Sequence, residues 1–170
     1  MARPEESRPA AWSAGTSLAW LGDLGVGSTL AEILATVDID RALANLGRSG
    51  RPLGFVVPPV DDPLLGARVA VVPGADGDVA IALAEPSTEG RLAATLARHG
   101  EGSAGRYVRS PIHLDALRDR AAAAGVSITR PAPGPFGLAV LVVASVAGPH
   151  LILVDPSPVS GEPPAVPSRP

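Results

Sequence analysis

The sequence predicts an α+β fold built from two successive units, each consisting of a strand, a helix and three further strands. The first observation is a repeat: residues 81–87, IALAEPS, return 70 residues later as residues 151–157, LILVDPS. The second is that strand and helix candidates precede both copies in the same order. The third is the proline in each copy, which ends a strand because it cannot donate a ladder hydrogen bond. Together these observations indicate an internal duplication.

The first unit begins with a strand candidate at residues 27–37 and a helix candidate at residues 38–46. In this helix Asp38 supplies an N-cap oxygen, apolar residues recur at helical spacing, and Gly47 is placed to end it. Three strand candidates follow, at residues 54–60, 68–72 and 78–84. Two adjacent prolines favour an edge position for the first of them, and a Pro/Gly-rich turn joins the other two into a hairpin.

The second unit opens with a strand candidate at residues 103–110 and a helix at residues 113–124, which Pro111 starts and Gly125 ends. Its last three strand candidates are residues 126–129, 138–143 and 149–155, with a Pro/Gly loop at 130–137. The chain is therefore divided into a flexible N-terminal extension (1–27), a first βαβββ module (28–87), a linker with a short helix (88–102), a second βαβββ module (103–155) and a disordered Pro-rich tail (156–170).

Composition excludes several classes of function. The formal net charge is −3, so no basic field points to nucleic acid or to an anionic membrane surface as a partner. All 14 basic residues are Arg and Cys is absent, which excludes Schiff-base lysines, nucleophilic thiols and thiolate zinc sites. The N-terminus lacks the pattern of a secretory signal, and the longest apolar run is about half of a membrane span. We expect a soluble, cytoplasmic protein.

Several short motifs, in order along the chain, resemble methylmalonyl-CoA epimerases. The segment at residues 96–102, LARHGEG, resembles the one that introduces the second module in those enzymes. The helix start at residues 38–43, the sequence EPS at 85–87, the helix end at 121–126 and residues 148–155 match the same pattern. These enzymes belong to the vicinal oxygen chelate superfamily, with glyoxalases and bleomycin-resistance-type binding proteins. The resemblance covers roughly residues 28–155 and implies two βαβββ modules whose mixed sheet curls into a cup.

The resemblance also implies one divalent metal, held in the cup by four side chains from the first and last strands of each module. Aligned on the motifs above, those four positions are Ala31, Ala82, Gly105 and Ile152. None of these side chains has a lone pair to donate, whereas a hard divalent ion needs oxygen or imidazole ligands. We therefore expect a cup without a metal site of the family type, and no cofactor.

Strand parity predicts which polar residues line the cup, because residues two apart share a face. His150 shares a face with the aligned position in the last strand, and Ser103, Tyr107 and Arg109 share one with Gly105. His150 would shuttle a proton, while Tyr107 and Arg109 would stabilise a developing oxyanion. The alternatives are a structural histidine, a tyrosine that fills the space of the missing metal, and a solvated arginine at the rim.

Glu32 and Arg106 occupy equivalent places in the first strands of the two modules. Either they pair across the joined strands on the outer face, or a one-residue slip turns Glu32 into the cup, where it would supply a base. The candidate catalytic residues are thus His150, Tyr107 and Glu32, and the candidate substrate-binding residues are Arg109, Arg106 and Ser103.

The sequence predicts a metal-independent enzyme that transfers protons. Isomerisation, epimerisation, cyclisation or dehydration of a carbonyl-containing acyl thioester or polyketide-like secondary metabolite would fit the resemblance. One alternative is a non-catalytic, antibiotic-type small-molecule binding protein, which the scarcity of aromatic rings disfavours. Another is a degenerate partner subunit of an active relative. We expect a homodimer formed through strand edges.

Overall fold

A computed structural model describes residues 27–49, 56–74 and 79–156. The described residues form eight strands and three helices. In chain order these are β1 Thr29–Ala35, α1 Ile39–Arg48, β2 Val57–Asp62, β3 Ala67–Val72, β4 Ala80–Pro86, α2 Arg91–His99, β5 Gly102–Arg109, α3 Leu114–Ala123, β6 Ala132–Gly134, β7 Gly137–Val142 and β8 His150–Val154. No helix among them is long and apolar enough to cross a membrane.

All eight strands belong to one mixed sheet with the order β2-β3-β4-β1-β5-β8-β7-β6. Within each module the first and last strands are parallel, β1 with β4 and β5 with β8, and the modules join through the antiparallel pair β1 and β5. The two edge strands, β2 and β6, contact each other, so the sheet curls almost into a barrel. This confirms the predicted α+β fold with a curled sheet.

The acidic residue of the repeated acid-Pro-Ser motif has the same structural role in both modules. Glu85 Oε2 accepts a hydrogen bond from the backbone N–H of Ile39 at 3.1 Å, and Asp155 Oδ2 accepts one from Leu114 at 3.2 Å. Ile39 and Leu114 are the first residues of α1 and α3. The acid at the end of each module's last strand thus satisfies a free donor at the start of that module's helix, where negative charge is also favoured by the helix dipole.

Three local features of the modules differ from the prediction. The predicted strand at residues 126–129 forms a single isolated bridge to β7, between Ile128 and Val142, with backbone hydrogen bonds from Thr129 to Leu141 and from Val143 to Ser127, and so does not extend into a ladder. Strand β6 lies within the predicted Pro/Gly loop, and it tolerates Pro133 because only one of its edges is paired. Helix α1 also continues through Gly47 to Arg48. The predicted N-terminal extension up to residue 26, the tail from residue 157 and the turn at residues 75–77 lie outside the described residues.

The sheet separates an inner core from two outer cores. The outer cores lie under α1 and α3, one in each module. The inner core fills the cup, and α2 contributes Leu92 to it. Its buried members are Ala31, Ile33, Ala35, Leu64, Leu65, Ala67, Val69, Ala82, Ala84, Leu92, Ala104, Tyr107, Ala139, Leu141, Ile152 and Val154.

Candidate functional site

The four positions aligned with the family's metal ligands all lie on the four central strands. Ala31, Ala82 and Ile152 are fully buried in the inner core. Gly105 has φ +151°, and a Cβ atom there would lie 2.0 Å from the carbonyl oxygen of His150, so only glycine fits. In the described part of the chain, no group of three or more His, Asp or Glu residues is arranged to hold a metal ion. The residues present therefore do not fit the metal that the resemblance implies.

A carboxylate and a phenol meet inside the cup instead. Tyr107 projects inward from β5, and its hydroxyl donates a hydrogen bond to Asp62 Oδ2 at 2.5 Å. Asp62 is the last residue of β2, on an edge of the sheet, and both residues are 1% exposed. The bond thus spans the interior from the second module to the first. It also satisfies the phenol, which a buried tyrosine requires.

The other oxygen of Asp62 has a structural role. Asp62 Oδ1 accepts hydrogen bonds from the backbone N–H groups of Leu64 at 2.8 Å and Leu65 at 3.3 Å, and so caps the turn between β2 and β3. Burial raises the pKa of Asp62, while the bonds from Tyr107 and the two N–H groups act against this rise. Burial and the neighbouring Asp62 charge raise the pKa of Tyr107 well above 10, so its phenol stays protonated.

Asp62 is a site residue that was not predicted from the sequence. It lies two residues beyond the predicted strand at 54–60 and directly before Pro63, a context typical of a turn-capping aspartate. Asp62 does cap this turn, but the same turn also faces the cup. No sequence pattern around Asp62 indicates that Tyr107, 45 residues away, would reach it.

His150 lies on the inner face at the start of β8 and is bonded to α2. Its Nε2 is 2.9 Å from Thr95 Oγ1, and Thr95 donates its own hydroxyl proton to the Arg91 carbonyl at 3.0 Å. Since a threonine hydroxyl has one proton, it accepts from His150, which assigns the Nε2–H tautomer. Burial lowers the pKa of His150 to about 4, the Arg91 charge acts in the same direction, and the Arg91 carbonyl opposes both. His150 is therefore neutral at physiological pH and fastens α2 to the sheet.

The remaining candidates lie away from this interior. Glu32 is exposed and stands opposite Arg106 in the β1–β5 register, so it does not face the cup. Ser103 is exposed, and Ala104 enters the inner core in its place, because a register shift in the β1–β5 pairing breaks strand parity. The prediction that Ser103 lines the cup is therefore wrong. Arg109 is exposed at the end of β5. Among the candidates, only Tyr107 and His150 share the interior.

An open cavity of about 280 Å³ lies outside the cup, beside α1. Helix α1 buries only Ile39, whereas α3 buries Leu114, Leu117 and Ala121 in the equivalent place, so α1 covers its side of the sheet less completely. The cavity has an apolar floor and a polar rim. Its lining residues are Leu34, Ala35, Thr36, Arg41, Ala42, Asn45, Leu46, Ser49, Leu83, Glu101 and Gly102.

Solved structures of known proteins have the same architecture. Methylmalonyl-CoA epimerase from Mycobacterium tuberculosis is 23% identical and superposes with a TM-score of 0.66, over 85% of this chain and 93% of that one. A hypothetical protein from Bacillus halodurans is 20% identical, with a TM-score of 0.61 over 78% and 96%. A single-residue variant of Streptomyces coelicolor methylmalonyl-CoA epimerase, in complex with 2-nitronate-propionyl-CoA, is 19% identical, with a TM-score of 0.60 over 76% and 99%.

Comparisons by sequence give no such match: no family model and no curated protein matches this chain. The structural matches extend over both modules and over nearly the full length of the matched chains. At these identities the likeness concerns the fold. The chain therefore has the fold of the vicinal oxygen chelate superfamily.

Proposed function

We propose that this protein is a metal-independent proton-transfer enzyme in which Asp62 and Tyr107 form the acid–base pair. The observation that carries the proposal is their 2.5 Å hydrogen bond inside the cup, next to the positions where the family holds its metal. Tyr107 is paired in register with Ala31 and Ile152, two of those positions. A carboxyl group with a raised pKa beside a protonated phenol is an arrangement suited to removing and returning a proton.

In the proposed reaction the Asp62 carboxylate removes a proton from the carbon next to a carbonyl group. The electron pair of the C–H bond moves into a carbon–carbon double bond, and the carbonyl π electrons move onto oxygen. The Tyr107 hydroxyl donates a hydrogen bond to the resulting enolate oxygen. Asp62 then returns the proton to a conjugated carbon, which isomerises the substrate, or exchanges it with solvent before returning a solvent-derived proton to the same carbon. The substrate must insert between Tyr107 and Asp62, where its carbonyl replaces their mutual hydrogen bond.

An acyl thioester is the substrate class that the comparisons support best, with a polyketide-like carbonyl compound as the wider class. Two of the three solved structures described above are methylmalonyl-CoA epimerases, and one of these is bound to 2-nitronate-propionyl-CoA. A single carboxylate favours an isomerisation, in which one group moves a proton along one face. Epimerisation requires a proton donor on the opposite face as well. His150 acts by positioning α2, since its Nε2–H is bonded to Thr95.

The test is hydrogen–deuterium exchange at the carbon acid. A panel of saturated and unsaturated acyl-CoA thioesters is incubated with the protein in D₂O containing a chelator, and exchange is followed by NMR. We expect exchange in at least one thioester, with a loss of about 100-fold or more for Asp62→Asn and about tenfold for Tyr107→Phe. Asp61→Asn, on the exposed neighbour in β2, is the matched control and should retain exchange. Full exchange by Asp62→Asn, or none by the natural protein, contradicts the proposal.

A second candidate function is the binding of a small apolar molecule without catalysis. The cavity beside α1 favours it, because it is open while the inner core is closed. Arg41 at the rim is already paired with Glu101 at 2.6 Å, which favours an uncharged ligand over an anion. The uncharged dye N-phenyl-1-naphthylamine should therefore fluoresce on binding, and Ala42→Phe, which fills the cavity, should abolish the signal. An equal signal from both proteins would assign dye binding to another surface and reject this function.

A further inference from the structure

The hairpin formed by β6, β7 and their turn covers both members of the Asp62–Tyr107 pair. The ring of Phe136, in the turn, lies with its centroid 5.0 Å from that of Tyr107, at an interplanar angle of 55°. At Gly134, the last residue of β6, a Cβ atom would lie 3.4 Å from Asp62 Oδ2. One short segment therefore contacts the phenol through an aromatic ring and the carboxylate through backbone.

Within the described residues, β6 and the turn of this hairpin are a weakly paired part of the wall of the cup. Strand β6 has three residues and pairs only with β7, whereas the central strands β1, β4, β5 and β8 are paired on both sides. Strand β2 contacts β6 at the seam, but no ladder joins the two edges within the described residues. Phe136 is partly buried, unlike Tyr107 beneath it. Segments with few backbone pairs and a partly exposed anchor open at low free-energy cost.

The interior itself requires such an opening. Asp62 and Tyr107 are each 1% exposed, so a substrate in contact with both has to displace part of the wall. Displacing a central strand would break ladders on two sides, whereas displacing the turn of the hairpin breaks the Phe136–Tyr107 contact and the packing of Gly134 on Asp62. An aromatic pair of this kind adds only a small stabilisation beyond its buried area.

We propose that the β6–β7 hairpin is the gate of the cup and that Phe136 is its latch. Substrate enters at the seam between β2 and β6 when Phe136 leaves Tyr107, and the Phe136 side chain then limits the size of the acyl group beside the acid–base pair. The identity of the substrate rests on the proposed function. The gate is a property of the hairpin and has a readout of its own.

That readout uses the chain's single tyrosine, Tyr107. Nitration by tetranitromethane, followed by mass spectrometry, reports how often the phenol becomes accessible, because the rate follows the open population when closing is fast. Losing the Phe136 contact in Phe136→Ala should raise the nitration rate about 2- to 10-fold at constant pH. The control is Leu92→Ala, which truncates a fully buried residue of α2 and weakens the inner core away from the hairpin.

Faster nitration in Phe136→Ala than in Leu92→Ala, under conditions where both remain folded, supports the gate. Equal rates in Phe136→Ala and the natural protein overturn it, and so does an equal increase in both variants, which would indicate global unfolding. A second arm measures deuterium exchange in thioesters with longer acyl groups, where Phe136→Ala should extend the accepted range. If the natural protein exchanges no thioester, the proposed function fails, while the nitration result still decides on the gate.

Discussion

Replacing Tyr107 by Phe removes one hydroxyl group and keeps the ring that fills the cup. The change leaves Asp62 Oδ2 without its donor in a site that is 1% exposed. A buried acceptor that loses its partner costs about 1–3 kcal/mol, with larger values for charged groups. Since the ring is retained, no cavity adds to this cost. We therefore expect the free energy of unfolding to fall by about 2–3 kcal/mol at pH 7.

The pH dependence of this fall in the free energy of unfolding distinguishes loss of the hydrogen bond to Asp62 from a change in core packing. Burial raises the pKa of Asp62 above 3.8, which means that the folded state favours the protonated carboxyl group. The stability that this preference gives is therefore complete below pH 3.8 and is lost as the pH rises through the folded-state pKa of Asp62. The bond from Tyr107 lowers the pKa of Asp62, so its removal raises this pKa further and enlarges the loss. The destabilisation by Tyr107→Phe should therefore be larger at pH 7 than at pH 4.

Urea unfolding at both pH values measures the effect, provided that the slope m is unchanged between the proteins. Asp62→Asn and the double variant complete a double-mutant cycle, which isolates the coupling between the two side chains. Coupling below about 0.5 kcal/mol, or a loss for Tyr107→Phe that is equal at pH 4 and pH 7, would refute the reasoning.

Three further predictions concern the supports of the cup. The pKa of His150 is lowered from 6.5 to about 4, so the folded state favours the neutral imidazole; the stability from this preference is complete above pH 6.5 and falls as the pH drops towards 4. Urea titrations should show that the free energy of unfolding decreases by up to about 3 kcal/mol over this range. In His150→Gln this pH-dependent decrease should be absent. Glu85→Ala and Asp155→Ala should each lower the free energy of unfolding, measured by thermal denaturation, by about 1 kcal/mol, because each removes an acceptor at the start of α1 or α3. If one of the two variants had no effect, the two acids would not have equivalent roles. Gly105→Ala should prevent stable folding, as judged by circular dichroism, because its Cβ meets β8 backbone at 2.0 Å, whereas Gly102→Ala, at φ +140° in open space, should cost only about 1 kcal/mol.

Part of the fold could be predicted from local pattern because strands and caps are encoded by residues close in sequence. The repeat of an apolar strand followed by acid-Pro-Ser predicted the ends of β4 and β8, and Asp38 was correctly predicted as the N-cap of α1, where it accepts from the Arg41 N–H at 2.9 Å. Strand parity placed Tyr107 and His150 on the inner face together with Ile152. These features depend on alternation and on hydrogen bonds within a module.

The register shift between β1 and β5 is a feature that strand alternation could not predict. One register shift between β1 and β5 moves Ala104 into the inner core and leaves Ser103 exposed. The shift arises where Gly105 approaches β8 too closely for any side chain. It depends on contact with His150, which is distant in sequence, so no local pattern in GSAGRY encodes it.

By itself, the sequence determined the two-module architecture and the inert side chains at the four aligned positions, since a duplicated pattern and the chemistry of Ala, Gly and Ile require no coordinates. Only the tertiary structure decided which polar groups meet inside. Asp62 and Tyr107 become partners because the curled sheet brings its edge strand β2 across from β5, and His150 finds Thr95 because α2 packs against the inner core. These contacts depend on how the whole sheet curls, which results from the twist of all eight strands together and cannot be deduced from any one segment of the sequence.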